Sequence, residues 1–536
     1  MKKLIYAIGA IVASMGVMAL QMPAQNNFTP GNKLRVVEGL IAEYYVDTVN
    51  EEKICEDAIK RMLEELDPHS SYMNAEETRE MNEPLQGNFS GIGITFNMLK
   101  DTLYVIETVG GGPSERVGIL AGDRIIRVND TIIAGVKMKN SDIMKRLRGP
   151  KGTKVDVKIL RRSAGASDTI DFRITRAEIP IYSIDAAYMV DKTTGYVRLN
   201  RFGAESFNEF YKAVHELKKS GMQNLIFDLT DNGGGYINAA TDILNEILER
   251  GQISVYTEGR KSPRYDYYAK PYDKKPLLDG NRIVVMVNQN SASASEITSG
   301  AIQDWDRGVL VGRRTFGKGL VQRPFPFPDG SMVKLSIAHY FTPSGRNIQR
   351  PYTEGEGDKY YRDIVDRLNS GELIHADSIK YIDSLKVTTL KKGRTIYGGG
   401  GITPDVFVPL DTTKFSNYYR DMSAKGVINQ YCIKYVELHR KDLLKQYKSD
   451  MDYVERFVVT PAMLEELYAL AEKEGVERNE EEAKRSEELV SMIVKGLIGR
   501  DTYSQATYFK VYNQYDPIFK EALRIIESPE YNKILK

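Results

Sequence analysis

The chain has 536 residues, 42% of them hydrophobic and 10% aromatic, enough to pack several cores and to exclude wholesale disorder. With 74 Lys and Arg against 73 Asp and Glu, the net charge of +1 leaves no global basic field for nucleic acid. Two cysteines, Cys55 and Cys432, are too few for a disulfide framework and read as free buried thiols, and the five histidines show no zinc-ligand spacing, so no metal or other cofactor is expected.

In chain order, Lys2 and Lys3 precede the apolar run Leu4–Leu20, the charge and hydropathy pattern of a secretory signal over residues 1–24. Small residues at Ala19 and Ala24 suit cleavage; an uncleaved membrane anchor is the alternative, since about 17 apolar residues just reach across a bilayer. An exported location, periplasmic or in the cell envelope, follows. Residues 30–85 read as a helical segment, with Leu34, Val37, Leu40, Ile41 and Tyr44, then Ile54, Ala58, Met62 and Leu63, at helical spacing, the pattern reaching about Met73 and closed by Asp67-Pro68.

From Gly87 the period becomes strand-like over Gly91–Phe96, Leu103–Ile106, Arg124–Asn129 and Val155–Leu160, with glycine-rich turns between. The order over residues 87–178 resembles a PDZ domain: Gly91-Ile92-Gly93-Ile94, a short helix at Pro113–Ile119, Ala121-Gly122-Asp123 and a helix at Lys139–Arg148. Such domains take a peptide's carboxyl end by strand addition, and the resemblance puts the peptide-binding loop at Ser90, Gly91, Ile92, Gly93 and Ile94.

From Ser183 strands and helices alternate, with continuously apolar strands at Asn224–Leu229 and Arg282–Val287 that read as buried on both faces of a parallel sheet. This α/β pattern spans 183–350 and resumes at 395–411; between them, 351–394 is a charged insertion that is helix-compatible over Asp363–Leu385. Residues 412–536 read as a helical region for packing or for a partner.

Chemistry gathers in three stretches. Asn288–Glu296 turns from a buried strand into a helix, where free N–H groups and the helix dipole suit an oxyanion; Ser293-Ala294-Ser295-Glu296 also fits an ordinary capping box. A serine nucleophile needs a base, and Lys318, between two glycines, becomes one if burial lowers its pKa, with Gln322 able to orient the amine. Asp228–Gly235 is a glycine loop whose amides suit an oxyanion, or a tight turn needing positive φ.

Together with Leu66–Tyr72, Gln303-Asp304 and Phe341–Arg346, these stretches resemble the carboxy-terminal processing (tail-specific) proteases over about residues 30–410. The resemblance implies a multidomain α+β and α/β chain: a helical N-terminal segment, a PDZ-like domain, an α/β protease core of the ClpP/crotonase-like kind and a helical C-terminal region. It implies Ser293 as nucleophile, Lys318 as general base, Gln322 as its orienting partner, and an oxyanion hole of Ala294 with Gly234 or Gly235; Ser291 and Ser295 are then bystanders. Implied partners are proteins or peptides with free apolar carboxyl ends, without nucleic acid, and the C-terminal helices suggest a homo-oligomer or adaptor contact. Departures from the family pattern are Thr230-Asp231-Asn232-Gly233, the 351–394 insertion and the last 125 or so residues. The competing function is a PDZ adaptor or holdase that binds carboxyl tails without cutting.

Overall fold

The computed structural model describes residues 29–98, 101–163 and 166–536; the signal expected over 1–24 lies outside them. The chain divides at Leu66 into two compact units. The first holds the helices Pro30–Tyr44, capped by Thr29, and Glu51–Glu64, capped by Asn50. Cys55 lies exposed on the second of these helices, contrary to the buried thiol expected, whereas Cys432 in the larger unit is buried; both are free.

Helix does not run on to Met73: the Asp67 carboxylate accepts from the His69 and Ser70 N–H groups (2.8 and 2.9 Å) and turns the chain. Ser71–Met73 then pairs antiparallel with Met332–Phe341, and a helix follows over Ala75–Gln86.

In the PDZ-like region the strands Ile94–Met98, Leu103–Thr108, Arg124–Val128, Lys154–Ser163 and Ala166–Thr175 form one antiparallel path. The predicted strand Gly91–Phe96 is broken at Gly93, whose φ of 74° separates Asn88–Gly91 from Ile94–Met98. Ile94–Met98 ends that path, which leaves it an edge among the described strands. Alternation in Leu103–Thr108 buries Leu103 and Val105 in the domain's own core and turns Tyr104 and Ile106 onto Ile433 of the helix Val427–Gln446. Beside this patch one Arg124 nitrogen donates to both Glu437 oxygens (2.9 and 3.0 Å). Glu437→Ala is expected to cost this contact about 2 kcal/mol, read as faster amide exchange in 103–108 and 124–128 with the rest of the chain unchanged.

The core sheet runs Ile184–Met189, Thr194–Leu199, Asn224–Asp228, Arg282–Val287, Val309–Gly312 and Val406–Phe407, parallel except at the first pair. In Arg282–Val287, Ile283, Val285 and Val287 meet the helices Ser206–Lys219, Ile237–Asn245 and Ala294–Asp304 on one face. Val284 and Met286 meet Ile518, Phe519, Ala522 and Ile525 from the C-terminal helices on the other. The helical region therefore turns apolar residues onto this chain's own sheet. A second sheet joins Met332–Phe341 to Ser71–Met73, Ile253–Gly259 and Leu320–Pro326, with Ser262–Tyr268 beyond.

Candidate active site

Ser293 sits where the buried strand Arg282–Val287 turns into the fully buried helix Ala294–Asp304. Its φ of 57° and ψ of −115° lie outside the regions comfortable for a residue with a Cβ. The turn that imposes them is over-determined: the Ala292 N–H donates to Asn232 O (3.0 Å), the Asn288 N–H to Ser291 Oγ (2.9 Å) and the Ser293 N–H to Glu296 Oε2 (2.8 Å). The three serines of this stretch differ physically. Ser291 and Ser295 are fully buried and donate their hydroxyls to Leu229 O and Asn232 O (2.8 Å each). Ser293 is half-buried, and its hydroxyl proton goes to no acceptor among the described residues.

The glycine loop lies against this turn. A Cβ on Gly234 would come within 2.7 Å of Ser293 Cβ and 2.8 Å of the Ala294 nitrogen, at a φ of 96°. Only glycine fits there. The Gly234 N–H is spent on Asn232 Oδ1 (2.8 Å), whereas those of Gly235 and Ala294 meet no acceptor among the described residues.

Lys318 reaches the same place from the other sheet. The Glu296 half of the predicted capping pair is present, since its carboxylate takes the Ser293 N–H, whereas the Glu296 N–H goes to the Ser293 carbonyl (2.8 Å) and the Ser293 side chain makes no cap; the buried carboxylate does more. Oε2 takes the Ser293 and Lys318 N–H groups (2.8 and 2.9 Å), and Oε1 takes the Gly317 N–H and the Thr315 hydroxyl (2.7 and 2.5 Å). Phe316 N–H donates to Ser291 O (2.9 Å), and the Tyr340 hydroxyl lies within hydrogen-bond reach of both the Ser293 and Lys318 carbonyls. Lys318 Nζ donates to Gln322 Oε1 (2.6 Å), and Gln322 Nε2 donates to His69 O.

Burial, with the nearby Lys334 charge second, lowers the Lys318 pKa to about 8 against the pull of Glu296 and Asp67. Burial raises that of Glu296 to about 7, less far than it would without its four donors. Burial and the Lys318 charge hold His69 near 3, so its ring is neutral; Nε2 lies 3.0 Å from the Tyr360 hydroxyl.

The 351–394 segment braces this loop. Its helix covers Gly357–Asn369 rather than Asp363–Leu385; Gly371, at φ 80°, follows the helix end, and beyond it only short 3₁₀ turns and a small hairpin form. Arg367 donates to the Thr315 and Arg314 carbonyls (3.1 and 2.7 Å), and the Arg350 guanidinium lies over the Phe316 and Tyr360 rings. Gln303, Asp304 and Arg346 are scaffolding: Arg346 donates to both Gln303 Oε1 and Asp304 Oδ1 (2.7 Å each), and all three are buried. Among the described residues no group of three or more His, Cys, Asp or Glu side chains is placed to hold a metal.

The model of peptidase family S41 matches residues 193–355, that of the PDZ domain 90–174, and that of the activating protease CtpB N-terminal domain 14–78. A carboxy-terminal-processing protease of Bartonella bacilliformis is 33% identical over 360 residues, covering 65% of this chain and 80% of that protein. The chain belongs to the carboxy-terminal processing proteases. A second member of the family, CtpB of Bacillus subtilis, is 33% identical over 322 residues, 60% of this chain and 65% of that protein. The solved photosystem II D1 C-terminal processing protease is 25% identical, with a TM-score of 0.35 over 70% of this chain and 86% of that one. As a carboxy-terminal processing protease, the chain is a serine-type protease with a peptide-binding PDZ domain. Residues 418–504 match a family of unknown function (DUF8443), and this stretch contains the helix that meets the PDZ strand Leu103–Thr108. No helix among the described residues is long and apolar enough to cross a membrane.

Proposed function

We propose that this protease cleaves exported proteins through an acyl-enzyme on Ser293, with Lys318 as general base and Gln322 orienting it. The observation that carries the reading is the convergence of the Ser293 and Lys318 backbones on Glu296 and Tyr340, with the Lys318 amine desolvated to a pKa of about 8. Neutral Lys318 takes the Ser293 proton as Oγ attacks the scissile carbonyl, and the oxyanion is held by the amides of Ala294 and Gly235. Gly235 is preferred to Gly234 because the latter's N–H is already spent on Asn232. The lysine then protonates the leaving amine, and water hydrolyses the ester by the reverse route. The PDZ loop Ser90–Ile94 and the edge strand after it would take the substrate's apolar carboxyl end. Residues 1–24 would direct export.

The test is cleavage of a model protein with an apolar carboxyl tail by the wild-type chain. Serine-dependent cutting supports the reading; binding of the tail with no cutting by a folded wild-type chain favours the adaptor function. Gln322 has a separate readout. Gln322→Glu places a carboxylate against Nζ and raises the Lys318 pKa, so the acid limb of kcat/KM is expected to move up by about one pH unit. Gln322→Ala is expected to lower kcat about tenfold with KM little changed.

A further inference from the structure

Tyr360, on the insertion helix Gly357–Asn369, is buried, with its hydroxyl against the loop that carries Lys318. We propose that Tyr360 is a positioning residue for the general base: one hydroxyl from the insertion holds the backbone on both sides of Lys318 and the turn whose carbonyl holds Gln322. The inference rests on the function proposed above, in which Lys318 is that base.

Three contacts meet at the hydroxyl. It donates to Gly317 O (3.3 Å), immediately before Lys318. Gln349 Nε2 donates to it (3.2 Å), while Gln349 Oε1 takes the N–H of Gly319 (2.7 Å), immediately after Lys318. His69 Nε2 lies 3.0 Å away. The His69 carbonyl accepts from Gln322 Nε2, and Gln322 Oε1 accepts from the Lys318 amine (2.6 Å). With the neutral His69 ring carrying its proton on Nε2, the hydroxyl accepts from His69 and Gln349 and donates to Gly317, which uses its one proton and both lone pairs.

The insertion also holds that hydroxyl still. The Arg350 guanidinium lies 3.9 Å from the centre of the Tyr360 ring, donates to Tyr360 O (2.9 Å) and pairs with Asp363. The Arg350 N–H donates to the same Gly317 carbonyl (2.9 Å). The next residue, Tyr361, donates its hydroxyl to Pro68 O (2.6 Å), so two consecutive tyrosines grip the turn that carries His69. A lysine is a point charge on a flexible four-carbon stem. Fixing both flanking peptide groups and the amide partner of Nζ confines that stem to the place where its amine stays dry.

kcat, KM and the pH profile of kcat/KM are measured on the full-length wild type, Tyr360→Phe and Tyr381→Ala, with thermal melting of each. Phe keeps the ring and loses only the hydroxyl. Tyr381, exposed in the same insertion and stacked on Tyr397 at 4.3 Å between ring centroids, controls for a loss of packing alone. Tyr381→Ala is expected to keep the wild-type kcat and acid limb. Tyr360→Phe is expected to lower kcat about tenfold with KM within about twofold. Its acid limb should move up by about half a pH unit as water reaches Nζ, because the charges that act on Lys318, those of Lys334, Glu296 and Asp67, and the neutral His69 ring are all retained. A folded Tyr360→Phe with the wild-type acid limb overturns the positioning role, whatever its kcat, and so does a Tyr381→Ala that moves the limb as far. A Lys318→Ala protein that still cuts overturns the proposed base and the positioning role with it.

Discussion

Ser293→Ala and Lys318→Ala are each expected to lower kcat/KM by about four orders of magnitude or more, with the two together scarcely worse than either, because groups that act as a unit do not add. Lys318→Arg is the sharper variant. It keeps a long cationic side chain but cannot present a neutral base, since the guanidinium does not deprotonate in proteins. It should be as inactive as Lys318→Ala while remaining folded. The sign of the pH dependence follows from the same assignment. Burial lowers the Lys318 pKa to about 8, so the protonated, inactive form dominates below that pH. In the wild type kcat/KM should rise about tenfold per pH unit between about pH 7 and 8 and then level off, with less than about 1% of the plateau left at pH 6. A flat profile between pH 6 and 9 in a folded enzyme would contradict Lys318 as the base.

The three chemical stretches were legible because each is continuous in sequence: a strand, a turn and a helix start, or a lysine between glycines. What the sequence could not show was how they meet. Glu296 reads as the far end of a capping box, which it is, but its carboxylate also takes donors from 315, 317 and 318, contacts that local spacing does not encode. His69 shows no pairing with Ser293 in sequence; its contribution is a backbone carbonyl on Gln322, 253 residues away, and a backbone carbonyl carries no side-chain signature. Ser291 and Ser295 could be set apart from Ser293 only by resemblance, whereas burial and hydroxyl partners separate them physically. The helical character of the C-terminal region is plain in its sequence. Amphipathicity announces an apolar face without naming what covers it, and here the sheet residues Val284 and Met286 lie under Ile518 and Phe519. The double-sided burial of Arg282–Val287 was readable from its unbroken apolar run, but the source of its second cover was not.

Glu296 supplies the other large effect, and its direction discriminates between two roles. Glu296→Gln replaces one acceptor oxygen by an NH₂ group that must face either the Ser293 and Lys318 amides or the Gly317 amide and Thr315 hydroxyl. Donors then confront donors in a buried place, an expected loss of about 3 kcal/mol in stability. A fall of about 100-fold in kcat should accompany it, as the Ser293 and Lys318 backbones part. The pH profile is the decisive readout. The Glu296 charge raises the Lys318 pKa, so removing that charge from an otherwise dry site lowers it further, and the acid limb should move below pH 8. If Glu296 merely held the loop together, its loss would admit water around Nζ and carry the pKa up toward the lysine value of about 10.4, moving the limb the opposite way. The wild-type profile should bear the same mark: with the Glu296 pKa raised to about 7, its protonation takes an acceptor oxygen from two of its four donors, so the acid limb should steepen below pH 7 in the wild type and lose that steepening in Glu296→Gln.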